Sequence, residues 1–482
     1  MNEDIKQKTK IGMIWNFIEK ISIFGISFIL NVILARLLSP NDYGIIGILT
    51  VFLTLSNVFV ESGFSRALIQ KGNCSESDFS TTFFFNIIIG LIIYLVLFFA
   101  APLIAKFYDN GSLIQYSRVL FVVVIINSFG VVQNARLQMA IKFKKMAFIN
   151  FLSVIISGGV GIFLAYKGLG VWALIIQNIT RQFIVTLLLF ILGHWFPKLL
   201  FSLQSFKNLF GYGSKLLLSS LVIEISSNIS NLLIGKFYTT EKLGYYTKGY
   251  QFPDITVGLL SSVLNNVTFP MLSAMKSNSE ELISVFKKLI LMTAILTYPS
   301  LIGITVLAEN MISVILSDKW LPAVFFMRCI AISYLFKPLS ILNVNLLNAI
   351  GRSDLFLKLN LAKVPLDLLI VGISLPFGVE VLAIAMSISS VFYFYVNAFA
   401  IGKIFKFGAI QQFFYTWKPF VCAILMGIIV YLLNLLFNFN PVTELFILVI
   451  IGIISYYFLL KLFRVKELEI LKQALLKRTK RD

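Results

Sequence analysis

Fourteen long apolar runs, separated by short polar breaks, dominate this chain and leave it almost no choice of solvent. A helix needs ~20 apolar residues to cross ~30 Å of hydrocarbon, and there its backbone must satisfy its own hydrogen bonds. The runs lie near 11–38, 43–66, 79–101, 113–137, 146–166, 170–193, 212–236, 250–274, 284–307, 322–350, 357–375, 380–402, 417–437 and 441–462. Turn chemistry separates them: Ser39-Pro40-Asn41-Asp42, Ala101-Pro102, Asp109-Asn110-Gly111 and Lys167-Gly168 each interrupt an apolar pattern. The expected fold is all-α and polytopic, with about 14 transmembrane helices. No connection is long enough to hold a globular domain outside the membrane. With 58% of residues apolar and 13% charged, a soluble enzyme, a disordered chain and a disulfide scaffold are all excluded.

Charge then orients the chain. Of the 41 Lys and Arg and 22 Asp and Glu, 28 basic and 10 acidic residues fall on the side that holds the N-terminus, the alternate loops and the tail after 461. The opposite loops hold 7 of each. Cytoplasmic loops collect Lys and Arg, so both termini are expected in the cytoplasm. The net charge of +19 then faces anionic lipid rather than nucleic acid. The first apolar run is too long for a cleavable leader and should stay in the membrane. Three scattered cysteines (Cys74, Cys329, Cys422) and one histidine (His194) exclude a His/Cys metal cluster and a histidine-based triad. No Gly-x-x-x-x-Gly-Lys-Ser/Thr loop is present, so no cofactor or nucleotide is expected.

The two halves echo each other. Leu34-Ala-Arg-Leu-Leu-Ser-Pro-Asn-Asp-Tyr-Gly44 aligns with Ile234-Gly-Lys-Phe-Tyr-Thr-Thr-Glu-Lys-Leu-Gly244 at an offset of 200, and Gly170-Val-Trp-Ala-Leu174 with Gly378-Val-Glu-Val-Leu382 at 208. Spans 1–6 thus overlie spans 7–12. The reading is an N-lobe over residues 1–200 and a C-lobe over 201–410, with two extra spans and a basic tail over 411–482. Six-span units repeat in parallel about an axis along the membrane normal, with the path between them.

Polar residues within spans fall on stripes at helical spacing. Span 1 carries Asn16, Lys20, Ser27 and Asn31; span 2 carries Thr50, Thr54, Asn57 and Glu61. Span 7 carries Ser220, Glu224, Ser227 and Asn231; span 8 carries Asp254, Gly258, Ser261 and Asn265. Each set lies on one helix face, and the four helices are pairwise equivalent under the repeat. Small polar residues also glue helices together. Ionised groups in a span are costly enough to mark a cavity, which favours a lining role for Lys20, Glu61, Glu224 and Asp254. Arg181 and Lys337 fall near mid-depth as well. Such cations suit an anionic headgroup, while the acids either pair with them or carry protons.

The strings Trp15-Asn-Phe-Ile-Glu-Lys20, Leu34 to Gly44, Glu61-Ser-Gly-Phe-Ser-Arg-Ala-Leu-Ile-Gln70, Leu243-Gly-Tyr-Tyr-Thr-Lys-Gly-Tyr250 and Phe269-Pro-Met-Leu-Ser273 closely resemble the Wzx-type polysaccharide flippases. These belong to the multidrug/oligosaccharidyl-lipid/polysaccharide exporter superfamily. The resemblance runs through most of residues 5–400. It implies two six-helix lobes around a central cavity lined by spans 1, 2, 7 and 8. It also implies movement of an undecaprenyl-pyrophosphate-linked oligosaccharide from the cytoplasmic to the outer leaflet, for O-antigen, capsule or exopolysaccharide synthesis. Expected partners are that substrate, membrane lipids, a coupling ion (proton or sodium) and polysaccharide assembly proteins. Span 1 departs from the pattern, supplying one basic residue, Lys20, beside Glu19 rather than a basic cluster. Lys20 is the first phosphate candidate, then Arg181 and Lys337. Asn31, Asn57, Asn231 and Asn265 would meet sugar hydroxyls, Asn16 would line the cavity, and Glu61, Glu224 and Asp254 would pair or couple ions. The rivals are an ion-coupled drug or cation antiporter of the same superfamily and a membrane-embedded polymerase or ligase.

Overall fold

Helices follow one another almost without interruption along the chain, as the apolar runs require. The computed structural model describes residues 25–61, 64–275, 278–437 and 439–465. By its internal contacts the chain divides into two compact units, Met1–Thr247 and Lys248–Asp482.

The first unit opens with α1 (Gly25–Leu37). Then follow α2 (Pro40–Glu61), α3 (Phe64–Lys71), α4 (Glu76–Phe107), α5 (Leu113–Leu120), α6 (Val122–Met139), α7 (Phe143–Tyr166), α8 (Val171–Gly193) and α9 (Leu203–Phe237). α10 (Thr240–Ala274) begins in this unit and continues into the second. The second unit adds α11 (Ser279–Val306), the single turn α12 (Ala308–Met311), α13 (Ala323–Ser333), α14 (Lys337–Ala349), α15 (Ser353–Ser374), α16 (Val379–Phe405), α17 (Ala409–Leu436) and α18 (Pro441–Leu462).

Ten spans among the described residues are long and apolar enough to cross a membrane, counting α5 with α6 and α13 with α14 as one each. The helices α9, α10 and α15, of 35, 35 and 22 residues, lie where the more polar spans 7, 8 and 11 were read, and α1 lies in span 1. This is a multi-pass, all-α membrane protein. The helix of span 7 starts well before the apolar run, at Leu203. It continues unbroken through the span to Phe237.

Helix starts are fixed by local chemistry. Ser75 Oγ accepts from the Asp78 backbone N–H at 3.2 Å, and Asp78 Oδ2 accepts from the Ser75 N–H at 2.9 Å, a reciprocal capping box for α4. The repeated Gly-Val-x-x-Leu strings open α8 and α16 in the same way. Gly170 and Gly378 are the N-caps at φ +52° and +116°, where a side chain is strained. Directly after them Val171, Leu174, Val379 and Leu382 are buried.

Within the first unit α4, α6, α7 and α8 pack side by side, and α2 packs on α9. In the second, α11 packs on α17, α17 on α18, and α16 on α13, α14 and α15. Outward faces stay apolar: Phe99, Leu103, Ile388 and Phe446 are each at least two-thirds exposed. In water such a surface would aggregate; in lipid it is the solvated face.

Candidate functional site

The polar groups of the first unit converge on one cavity of about 840 Å³. From α2 come Thr50, Thr54, Asn57 and Glu61, spaced by three and four residues and so on one helix face. The lining also takes Asn127, Asn134 and Gln138 from α6, Asn150 from α7, and Asn178, Arg181 and Gln182 from α8. Ser220 and Glu224 of α9 complete it. Seven carboxamides, one guanidinium and two carboxylates thus share one space within the first unit.

Asn127 is the hub. Its Nδ2 donates to Glu61 Oε1 at 2.7 Å and to Asn57 Oδ1 at 3.1 Å, while its Oδ1 accepts from Gln182 Nε2 at 2.9 Å. Gln182 leans further on the Thr186 hydroxyl, which donates to the Ile126 carbonyl at 3.1 Å. One buried amide therefore ties α2, α6 and α8 together and fixes the Glu61 carboxylate. Glu224 is held within its own helix, accepting from Asn228 Nδ2 at 2.9 Å. Arg181 makes no hydrogen bond or ion pair among the described residues and opens onto the cavity. Neither acid of the lining forms an ion pair with it among the described residues.

Asn57, Glu61, Arg181 and Glu224 line this cavity, whereas Asn31 and Asn231 do not. The Asn31 amide donates to the Ser27 carbonyl of its own helix at 2.8 Å. Asn16, Lys20 and the Asn265 side chain lie outside the described residues. Asp254 and Lys337 meet in the second unit, Nζ to Oδ1 at 3.9 Å, with the Lys337 ammonium 3.7 Å from the centre of the Tyr334 ring. Deeper in that unit Lys363 Nζ donates to Asn397 Oδ1 at 2.7 Å, and Asn397 Nδ2 to Ser340 Oγ at 2.6 Å. Tyr393 donates to Asp367.

Asn127, Asn134, Gln138, Asn178 and Gln182 were not singled out from the sequence. A signal existed: Asn127, Asn134 and Gln138 are spaced by seven and four, and Asn178 and Gln182 by four. These uncharged stripes sit on spans 4 and 6. Among the described residues, no group of three His, Cys, Asp or Glu side chains is placed to hold a metal ion.

Chemically, carboxamides both donate and accept, which suits a ligand dense in hydroxyls, and an unpaired guanidinium suits an oxyanion. Solved structures share the fold: lipid II flippase MurJ in an inward closed conformation superposes with a TM-score of 0.74, covering 94% of this chain and 98% of that one at 17% identity. The teichuronic acid biosynthesis protein TuaB of Bacillus subtilis (strain 168) is 27% identical, with 95% of this chain and 96% of that one aligned. The lipopolysaccharide biosynthesis protein WzxC of Escherichia coli (strain K12) is 22% identical over 74% of this chain and 73% of its own. A family model described as polysaccharide biosynthesis protein matches residues 33–325, more than half of the sequence. Through that match, this multi-pass membrane chain belongs to the polysaccharide biosynthesis protein family.

Proposed function

We propose that this chain is a flippase that carries an undecaprenyl-pyrophosphate-linked oligosaccharide from the cytoplasmic to the outer leaflet, and is not an enzyme. The observation that carries the reading is the amide-lined cavity of about 840 Å³ with Arg181 unmatched inside it. A pyrophosphate-linked sugar chain cannot cross ~30 Å of hydrocarbon unaided, because every hydroxyl and charge would lose its water. The cavity replaces that water with amides, hydroxyls and a guanidinium while the polyprenyl tail stays in lipid. The names of its relatives, teichuronic acid and lipopolysaccharide biosynthesis proteins, support a substrate of this class.

In this reading the N-lobe (1–200) and C-lobe (201–410) alternate access, and residues 411–482 add two spans and a basic tail. The protein sits in a bacterial cytoplasmic membrane with both termini inside. Lys20, Arg181 and Lys337 meet the phosphates, Asn31, Asn57, Asn231 and Asn265 meet sugar hydroxyls, and Asn16 lines the cavity. Glu61, Glu224 and Asp254 pair with cations or couple an ion. A drug antiporter would need its acids free for a cationic cargo. Here Glu61 and Glu224 each accept a hydrogen bond from a carboxamide, and Arg181 adds to the same lining a guanidinium that would repel a cationic cargo.

The test is reconstitution in liposomes with defined lipid-linked oligosaccharides, reading which leaflet holds the sugar with and without a proton or sodium gradient. Leaflet exchange above protein-free liposomes is the expected result. None with any lipid-linked sugar, alongside gradient-driven uptake of organic cations, would establish the antiporter. Replacing Lys20 by Ala with surface polysaccharide unchanged would remove its role.

A further inference from the structure

Behind the cavity, on the other face of α6, lies a second polar feature. Thr82 and Asn86 of α4 and Gln133 of α6 are at most 1% exposed, yet Thr82 Oγ1, Asn86 Nδ2 and both amide atoms of Gln133 have no partner among the described residues. The buried Nη1 of Arg136 has none either. Asp78, also 1% exposed, begins the row. Its Oδ2 is held by Lys71 at 2.6 Å, and its Oδ1 points inward beside Ser205.

These groups share one interface. Asp78, Thr82 and Asn86 recur every four residues, one face of α4. A methyl on Gly90 would touch Ser128 at 2.8 Å, and toward the start of α4 the Phe79 ring lies 5.0 Å from the Arg136 guanidinium further along α6, so α4 and α6 run antiparallel. That register brings Asn86 level with Val132 and Gln133, and Thr82 level with Arg136. At 100° per residue, Gln133 and Arg136 point away from Asn127, Asn134 and Gln138, which line the cavity.

We propose that this interface binds a file of water molecules running from Asp78 to Asn86. A single ion does not fit. Eight residues of helix separate the ends by ~12 Å, whereas cation ligands stand only ~2.3–2.6 Å from their ion. The charges are also already matched, Asp78 by Lys71 and Arg136 by nearby Glu76. The stranded atoms are a mixture of donors and acceptors, which water serves equally well, and buried waters typically take such groups as partners. The aromatic walls, Phe79 and Trp195 under the Arg136 guanidinium at 5.0 and 4.9 Å, close the seam from the side. A hydrated interface lets α6 exchange hydrogen bonds as it shifts against α4, where a dry one must unpack.

The experiment is X-ray radiolytic hydroxyl labelling of the full chain in lipid nanodiscs, with thermal unfolding of Gln133→Leu. Phe83, 4% exposed beside the seam, is expected to label several-fold faster than Phe286 in the other unit's core. The Gln133→Leu protein is expected to melt several degrees below the parent, because it strands the waters its amide held. In a dry seam, removing an unbonded buried amide stabilises instead. Phe83 labelling at the Phe286 rate, or a Gln133→Leu protein melting at or above the parent, overturns the proposal. If that variant does not fold, the labelling of the parent decides alone.

Discussion

Gly44 and Gly244 each lie against the carbonyl oxygen of the residue four places before the other. A methyl on Gly44 would fall 1.6 Å from the Thr240 oxygen, and one on Gly244 would fall 1.9 Å from the Pro40 oxygen. The two glycines stand at equivalent places in the internal repeat, so the crossing of the α2 and α10 starts is itself two-fold. The Asn41 and Thr240 side chains hydrogen-bond beside it, and Lys236 pairs with Asp109 at 3.2 Å on the same end.

Gly44→Ala and Gly244→Ala are each expected to force these helix starts apart, because a backbone carbonyl has no flexible end to swing away. Overpacking of this kind costs about 1–3 kcal/mol. A melting temperature several degrees lower and reduced leaflet exchange are the outcomes to measure. Equal melting for both variants and the parent would show that the crossing opens freely.

Asn127→Leu removes two hydrogen bonds to α2 and one from α8 at once. It leaves the Glu61 carboxylate without its donor, and a lost bond to a charged group costs about 1.5–3 kcal/mol. Exchange of the lipid-linked sugar is expected to fall at least tenfold, about 1.4 kcal/mol in the barrier. Asn127→Asp, which turns a like charge toward Glu61, should be worse. A double variant with Glu61→Gln should recover part of that loss in the same assay.

Arg181 stabilises nothing visible in the fold, since it bonds to no described residue. Arg181→Gln is therefore expected to melt within about half a kcal/mol of the parent while losing most of its transport. Arg181→Lys should retain part of it, keeping the charge but not the planar fork. A large fall in stability with transport intact would make Arg181 a structural residue.

Gly378→Ala tests the repeat rather than the cavity. At φ +116° and ψ 157° a Cβ is strained by about 1–3 kcal/mol. The variant should lose stability by that amount, as should Gly170→Ala at φ +52° and ψ −126°. Thermal unfolding of the two single variants and the double one should give additive losses, the sites belonging to separate compact units.

The spans were legible because lipid imposes one length and one polarity on every helix. The glycines of the repeat were legible because only glycine fits a positive φ or a bare carbonyl. Spacing also put Thr50, Thr54, Asn57 and Glu61 on one face. It gave Asn31 and Asn231 the same standing, though neither lines the cavity, because a helical stripe names a face and not what the face meets.

What the chain alone determined, then, is its solvent, its helices and its two-fold repeat, all of which follow from local length, polarity and backbone geometry. What only tertiary structure decided is which polar groups meet. Asn127 reaches Glu61 across 66 residues and Gln182 across 55, so no periodicity within a span connects them. The orphaned amides between α4 and α6 became visible only once packing had closed around them.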